Sequence, residues 1–237
     1  TLTDQELTYW FNALQISAAT FDWDLFNKWL LARCLEEGIG CTVNYASALR
    51  IYRALADVCF PFALFNLGWC YQEGRGVAAD LKKAFKWMKK AAELGHADAQ
   101  YNIGVYYASG IATPVDQDEA LRWFRRSGER GHTRALFNAG VYCATGIGTT
   151  KDPVEAAKWF RQAAERGYAA AQYNLGVCYQ YGIGVDKDEV ECWKWFEMAA
   201  ELGHESAIAV LQRAKDGSMF ASSLASADTP AGAFVGV

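Results

Sequence analysis

A single spacing restricts what this chain can fold into more than any other property. The stretches FNLG at 65–68, YNIG at 101–104, FNAG at 137–140 and YNLG at 173–176 return at a fixed interval of 36 residues. Asn66, Asn102, Asn138 and Asn174 therefore share one register, and Gly68, Gly104, Gly140 and Gly176 share another. A fixed period of this size means that one supersecondary unit is stacked on copies of itself, because no single copy can bury its own apolar face.

The unit can be read from its punctuation. Asp80, Asp116, Asp152 and Asp188 stand where helix N-caps are needed, each ahead of a run with helical spacing such as Ala156, Trp159, Phe160, Ala163 and Ala164. Glu119, Glu155 and Glu191 follow three residues later and predict capping boxes. Pro153 falls at a first helical position, where its missing N–H is harmless. Gly95, Gly131, Gly167 and Gly203 then supply left-handed helix ends. The Asn-bearing stretch is the other helix of the unit, ended by Gly74, Gly110, Gly146 and Gly182. Its interior Gly costs on the order of 1 kcal/mol against Ala, so its fourfold return predicts close helix–helix approach. Each unit is thus an αα-hairpin. The pairs Gly74/Gly76, Gly146/Gly148 and Gly182/Gly184 have the look of phosphate-loop fragments, but no strand precedes them, and they are read as helix stops.

The pattern extends beyond the clear copies at 60–95, 96–131, 132–167 and 168–203. LARCLEEGIGCTVN at 31–44 matches LGWCYQEGRGVAAD at 67–80, which predicts a degenerate first unit at 24–59 with a second helix from about Asn44 to Asp57. Ahead of it, TDQELTYWFNALQIS reads as an amphipathic helix, so residues 1–23 are expected to cap the first unit. HESAIAVLQRAK at 204–215 keeps the Ala register but lacks the Asn and Gly, and reads as a closing cap helix. Residues 216–237 leave the pattern. They are expected to be a tail that docks in extended form on the repeats of its own or a neighbouring copy, or packs on the last repeat without regulatory meaning.

The 36-residue unit A-x-x-N-L-G-x-x-Y-x-x-G-x-G-V…D…A-x-x-W-F-x-x-A-A-E-x-G resembles the Sel-one-like repeat, a relative of the tetratricopeptide repeat, over about residues 24–215. The resemblance implies an all-α, right-handed α/α superhelical solenoid that serves as a protein-interaction scaffold, and it implies no catalytic residues. In the tetratricopeptide relatives the residue before Leu–Gly faces a concave groove. By resemblance Asn66, Asn102, Asn138 and Asn174 would form a ladder there, whose amides suit a bound peptide backbone. The alternative is that these Asn tie neighbouring helices together, and both roles are compatible. One turn to either side lie Phe62, Asp98, Arg134 and Ala170, then Trp69, Val105, Val141 and Val177, completing the candidate partner-binding set. A carboxylate clamp needs several cations beside the Asn; Arg134 alone qualifies, which argues against an acidic C-terminal tail as ligand.

Composition narrows the remaining classes. The net charge of −4 leaves no electrostatic footprint for nucleic acid. No run approaches the roughly 18 apolar residues of a membrane span, and no signal peptide is visible in TLTDQELTYW. Seven cysteines without a CxxC pair, most at packing positions, read as buried reduced thiols, which suits the cytoplasm or another reducing soluble compartment, an organelle matrix included. Trp87, Trp123, Trp159 and Trp195 sit on the packing stripe and are expected in the core rather than as base-stacking platforms. His96, His132 and His204 follow the terminating Gly and are too dispersed to share a metal. The expectation is a non-enzymatic scaffold or adaptor that binds a protein or peptide on the groove, without cofactor or metal. The alternative is a structural subunit of a larger assembly.

Overall fold

The structure is a computed structural model and describes residues 25–215. The expected N-terminal cap at 1–23 and the tail at 216–237 lie outside the described residues. Among the described residues there are eleven helices and no strand. The chain divides into two compact units, at 1–115 and 116–237. The first holds α1 (Leu25–Glu37), α2 (Tyr45–Asp57), α3 (Pro61–Glu73), α4 (Leu81–Glu93) and α5 (Ala97–Ser109). The second holds α6 (Gln117–Glu129), α7 (Thr133–Thr145), α8 (Pro153–Glu165), α9 (Ala169–Tyr181), α10 (Glu189–Glu201) and α11 (Glu205–Lys215). Within each unit every helix packs on the next one in the chain, the arrangement of a helical solenoid.

The caps form as the sequence predicts, but at Asp152 and Asp188 the boxes do not. The side chains of Asp80, Asp116 and Asp188 accept the backbone N–H three residues on at 3.0 Å, and Asp152 does so at 2.9 Å. The reciprocal half of the capping box is replaced. The cap residue's own N–H donates to a carbonyl of the preceding helix: Asp80 to Tyr71 at 2.8 Å, Asp152 to Cys143 at 2.8 Å and Asp188 to Tyr179 at 3.2 Å. The connecting loop turns back so tightly that main chain reaches the donor before a side chain can. The freed carboxylates act elsewhere. Glu155 accepts Arg125 Nη2 at 2.8 Å and Trp159 Nε1 at 3.0 Å, and Glu191 accepts Trp195 Nε1 at 2.9 Å.

Close approach explains the interior glycines. A Cβ on Gly176 would stand 2.7 Å from the Phe196 ring, and one on Gly140 would stand 2.7 Å from Phe160. Both rings are fully buried, each worth roughly 1.5–3 kcal/mol of burial. The second glycine of each loop pair does more than stop a helix. Gly76 and Gly184 are left-handed, and a Cβ would press on backbone of the preceding hairpin, 2.8 Å from Tyr45 O in one case and 2.8 Å from Val154 N in the other. These glycines set the distance between hairpins.

Two further ties recur between hairpins. His96, His132 and His204 are N-caps, their Nδ1 atoms accepting N–H from Ala99 at 3.3 Å, Ala135 at 3.1 Å and Ala207 at 3.4 Å. The aromatic residue before the Asn stacks on this cap, Phe65 on His96 at 4.6 Å and Tyr173 on His204 at 4.8 Å. The second tie joins a cation to a phenol: Arg53 to Tyr71 at 3.3 Å, Lys89 to Tyr107 at 3.3 Å and Arg161 to Tyr179 at 2.6 Å. The tryptophans correct the expectation in part. Trp123 and Trp195 are buried, whereas Trp87 and Trp159 are half-buried. Lys90 lies 4.7 Å over the Trp87 ring. Of the seven free cysteines five are buried, and burial pushes Cys178 and Cys192 up to about 12, so these thiols stay protonated. Cys59 is exposed.

Candidate partner-binding face

The Asn register falls on α3, α5, α7 and α9, one residue per Asn-bearing helix. Sequence makes the four positions equal, but their surroundings differ. Asn66 is only 4% exposed, and its Oδ1 accepts Trp29 Nε1 at 2.7 Å. Asn102 is half-buried. Asn138 is buried, with no hydrogen-bond partner at Nδ2. Asn174 is fully buried.

The flanking candidates separate in the same way. Phe62 is exposed on the first turn of α3, and Asp98 on the first turn of α5. Trp69 and Val105 are half-buried. In the second unit Arg134 is exposed on the first turn of α7, while Val141 and Val177 are buried. The structure therefore brings Phe62, Asn66 and Trp69 together on one accessible face, and places the two valines inside.

That face lies in the first unit and is wider than α3. The Phe62 ring sits 5.4 Å from Trp29 on α1 and 4.9 Å from His96, yet keeps 43% of its surface exposed. Trp29 meets Phe26 at 5.2 Å, and Phe65 meets Trp69 at 6.3 Å. Beyond the aromatic residues a pocket of about 370 Å³ opens, lined by Arg33, Glu36, Glu37, Asn66, Trp69, Glu73 and Arg75. Arg33 pairs with Glu37. The buried Glu36 accepts Tyr52 Oη at 2.7 Å and Arg75 Nη1 at 3.0 Å. Burial, with the Glu36 carboxylate beside it, pushes the Tyr52 phenol far up, so it remains a donor. Burial and the same carboxylate push the Cys70 thiol up to about 12.

Sequence reasoning missed the contribution of α1. Trp29, Arg33 and Glu36 belong to the degenerate first unit, whose Asn position is occupied by Leu30. One signal was available: Phe26 stands 36 residues before Phe62, and Glu37 stands 36 before Glu73. Among the described residues no group of three or more His, Cys, Asp or Glu is placed to hold a metal ion, and no helix is long and apolar enough to cross a membrane.

Comparison with known proteins gives a consistent result. The family model described as Sel1 repeat matches residues 28–57, 61–96, 97–132, 133–168 and 169–204. A Sel1 repeat protein from Oxalobacter formigenes is similar in structure, with 33% identity and a TM-score of 0.70 over 80% of this chain and 76% of that one. A protective antigen of uropathogenic Escherichia coli strains with an SLR fold matches at 27% identity and a TM-score of 0.53, over 90% of this chain and 52% of that one. No curated protein sequence matches the chain.

Proposed function

The chain belongs to the Sel1 repeat family, whose members act as protein-interaction scaffolds, and from that premise we propose that it is a non-enzymatic adaptor binding a partner protein or peptide on the face of its Asn-bearing helices. The observation that carries this reading is the first-unit face. There a half-buried Trp69 and Asn66 line an open pocket, and Phe62 stands exposed at the start of the same helix face. A clustered aromatic anchor region with polar groups at its edge is the usual make-up of an interface core and rim. The Asn66 N–H donors and the half-buried Asn102 amide would add hydrogen-bonding groups suited to a peptide backbone whatever its sequence.

The test uses the partner that affinity capture and quantitative mass spectrometry identify. The double variant Asn66→Ala with Asn102→Ala, both in the first unit, should weaken that partner by about tenfold, the loss of one or two hydrogen bonds. An unchanged affinity together with a large melting loss would end the ligand reading and leave the Asn as helix ties. A partner that dissociates only on unfolding would instead indicate a structural subunit.

A further inference from the structure

The first-unit face is polarised along its helices. The stripe on α3 runs Phe62, Asn66, Trp69, Glu73, and the stripe in the same register on α1 runs Phe26, Leu30, Arg33, Glu37. Both begin aromatic and end acidic. Glu37 and Glu73 occupy the last helical turn, where the negative end of the helix dipole disfavours a carboxylate. The later hairpins hold Ser109, Thr145 and Tyr181 at that position. The acidic end is thus specific to this face and runs against local helix preference.

Its charges are not balanced. In the pocket two arginines face three glutamates. Arg33 is taken by Glu37, and Arg75 is bonded to the buried Glu36 with Glu73 only a weaker electrostatic neighbour. The side-chain hydrogen bond to Glu73 is neutral, from the Gln72 amide at 3.0 Å. The Asn66 oxygen is occupied by Trp29, which leaves its N–H donors for an occupant's carbonyl. Residues 1–24 and 216–237 are poor candidates for this place. Residues 1–24 carry Asp4, Glu6, Asp22 and Asp24 without a single Lys or Arg, and residues 216–237 carry Asp216 and Asp228 and likewise no cation.

Resting on the scaffold reading above, we infer that this face takes an extended segment of another protein that pairs a large apolar residue over Phe62 with a Lys or Arg at Glu73. Glu73 lies eleven positions after Phe62, about 16 Å along the helix axis at ~1.5 Å per residue. Extended chain covers that span in about five residues at ~3.3 Å each. The recognised pattern is a Phe, Trp or Leu with a cation four to six positions away. Complementary charge sets the choice of partner and speeds its arrival, and the aromatic contacts hold it.

The test is selection from a random dodecapeptide library displayed on phage against the immobilised full chain. Enriched peptides should carry the apolar–basic pair several-fold above its frequency in the library. Glu73→Lys should shift the selected charge from basic to acidic, and Phe62→Ser should abolish enrichment. Both positions are exposed, and matching circular dichroism and melting temperatures will show that the variants are folded. Several results would overturn the inference: acidic or uncharged selected peptides, a preference unmoved by Glu73→Lys, or no enrichment at all. So would displacement of the selected peptides by a synthetic peptide of residues 1–24, or self-association that Phe62→Ser removes. Selected peptides that lack a cation but are lost in Asn66→Ala would sink the basic-segment inference alone and leave the scaffold reading standing.

Discussion

Replacing Gly184 with Ala tests how the hairpins are spaced. Gly184 has φ +70°, a left-handed conformation that costs an L-residue about 1–2 kcal/mol. The added Cβ would also lie 2.8 Å from Val154 N and closer still to the Pro153 carbonyl. These atoms are main chain in the first turn of α8, held by helix geometry, so no side chain can swing away. The loop must move outward, against the hydrogen bond from Ile183 N to Cys178 O at 2.9 Å. Overpacking of this kind typically adds about 1–3 kcal/mol. Gly167 provides the control: it has φ +78°, and a Cβ there meets nothing within 4 Å. Gly167→Ala should therefore show the conformational cost alone, about 1–2 kcal/mol, and Gly184→Ala about 2–5 kcal/mol. Urea titration followed by far-ultraviolet circular dichroism compares the two at equal slope. Equal midpoints would refute the spacer role and return Gly184 to an ordinary helix stop.

The hairpin repeat was legible because its signals are local and recur. Asp caps, left-handed Gly ends and the Gly–Phe approach each depend on a few neighbouring residues, and four copies in register average out accidents. Contacts between hairpins were harder to see. The imidazole caps of His96, His132 and His204 pair a residue with the first turn beyond it, but their stacking on Phe65 or Tyr173 joins positions about 31 residues apart. The capping boxes failed for a related reason, since a glutamate three residues on says nothing about which carbonyl the loop delivers to the cap. The candidate site was the least legible part. Register placed Val141 and Val177 beside Phe62 and Trp69, but burial depends on what the neighbouring hairpin puts over them, and a repeat pattern does not record that. A search for the best-conserved register also passes over α1, which lacks the Asn yet supplies Trp29, Arg33 and Glu36 to the face.

Two further outcomes are expected. Ala112 holds φ +58° in the register occupied by Gly76, Gly148 and Gly184, so Ala112→Gly should raise stability by about 1 kcal/mol in the same urea assay; an unchanged or lower midpoint would refute the strain. The second outcome is a dependence on pH. Burial lowers the pKa of His96, partly offset by Asp98, and burial lowers that of His204, partly offset by Glu205. Both Nδ1 atoms accept a cap hydrogen bond, so the folded chain holds them neutral while the unfolded chain protonates near 6.5. Their contribution is thus complete above about pH 6.5 and is lost as pH falls through the lower folded values. His96→Asn with His204→Asn keeps an oxygen acceptor at each cap and removes the titration. Between pH 7.5 and 5 the melting temperature of the native chain should fall further than that of the double variant, and parallel curves would show that these imidazoles do not couple protonation to folding.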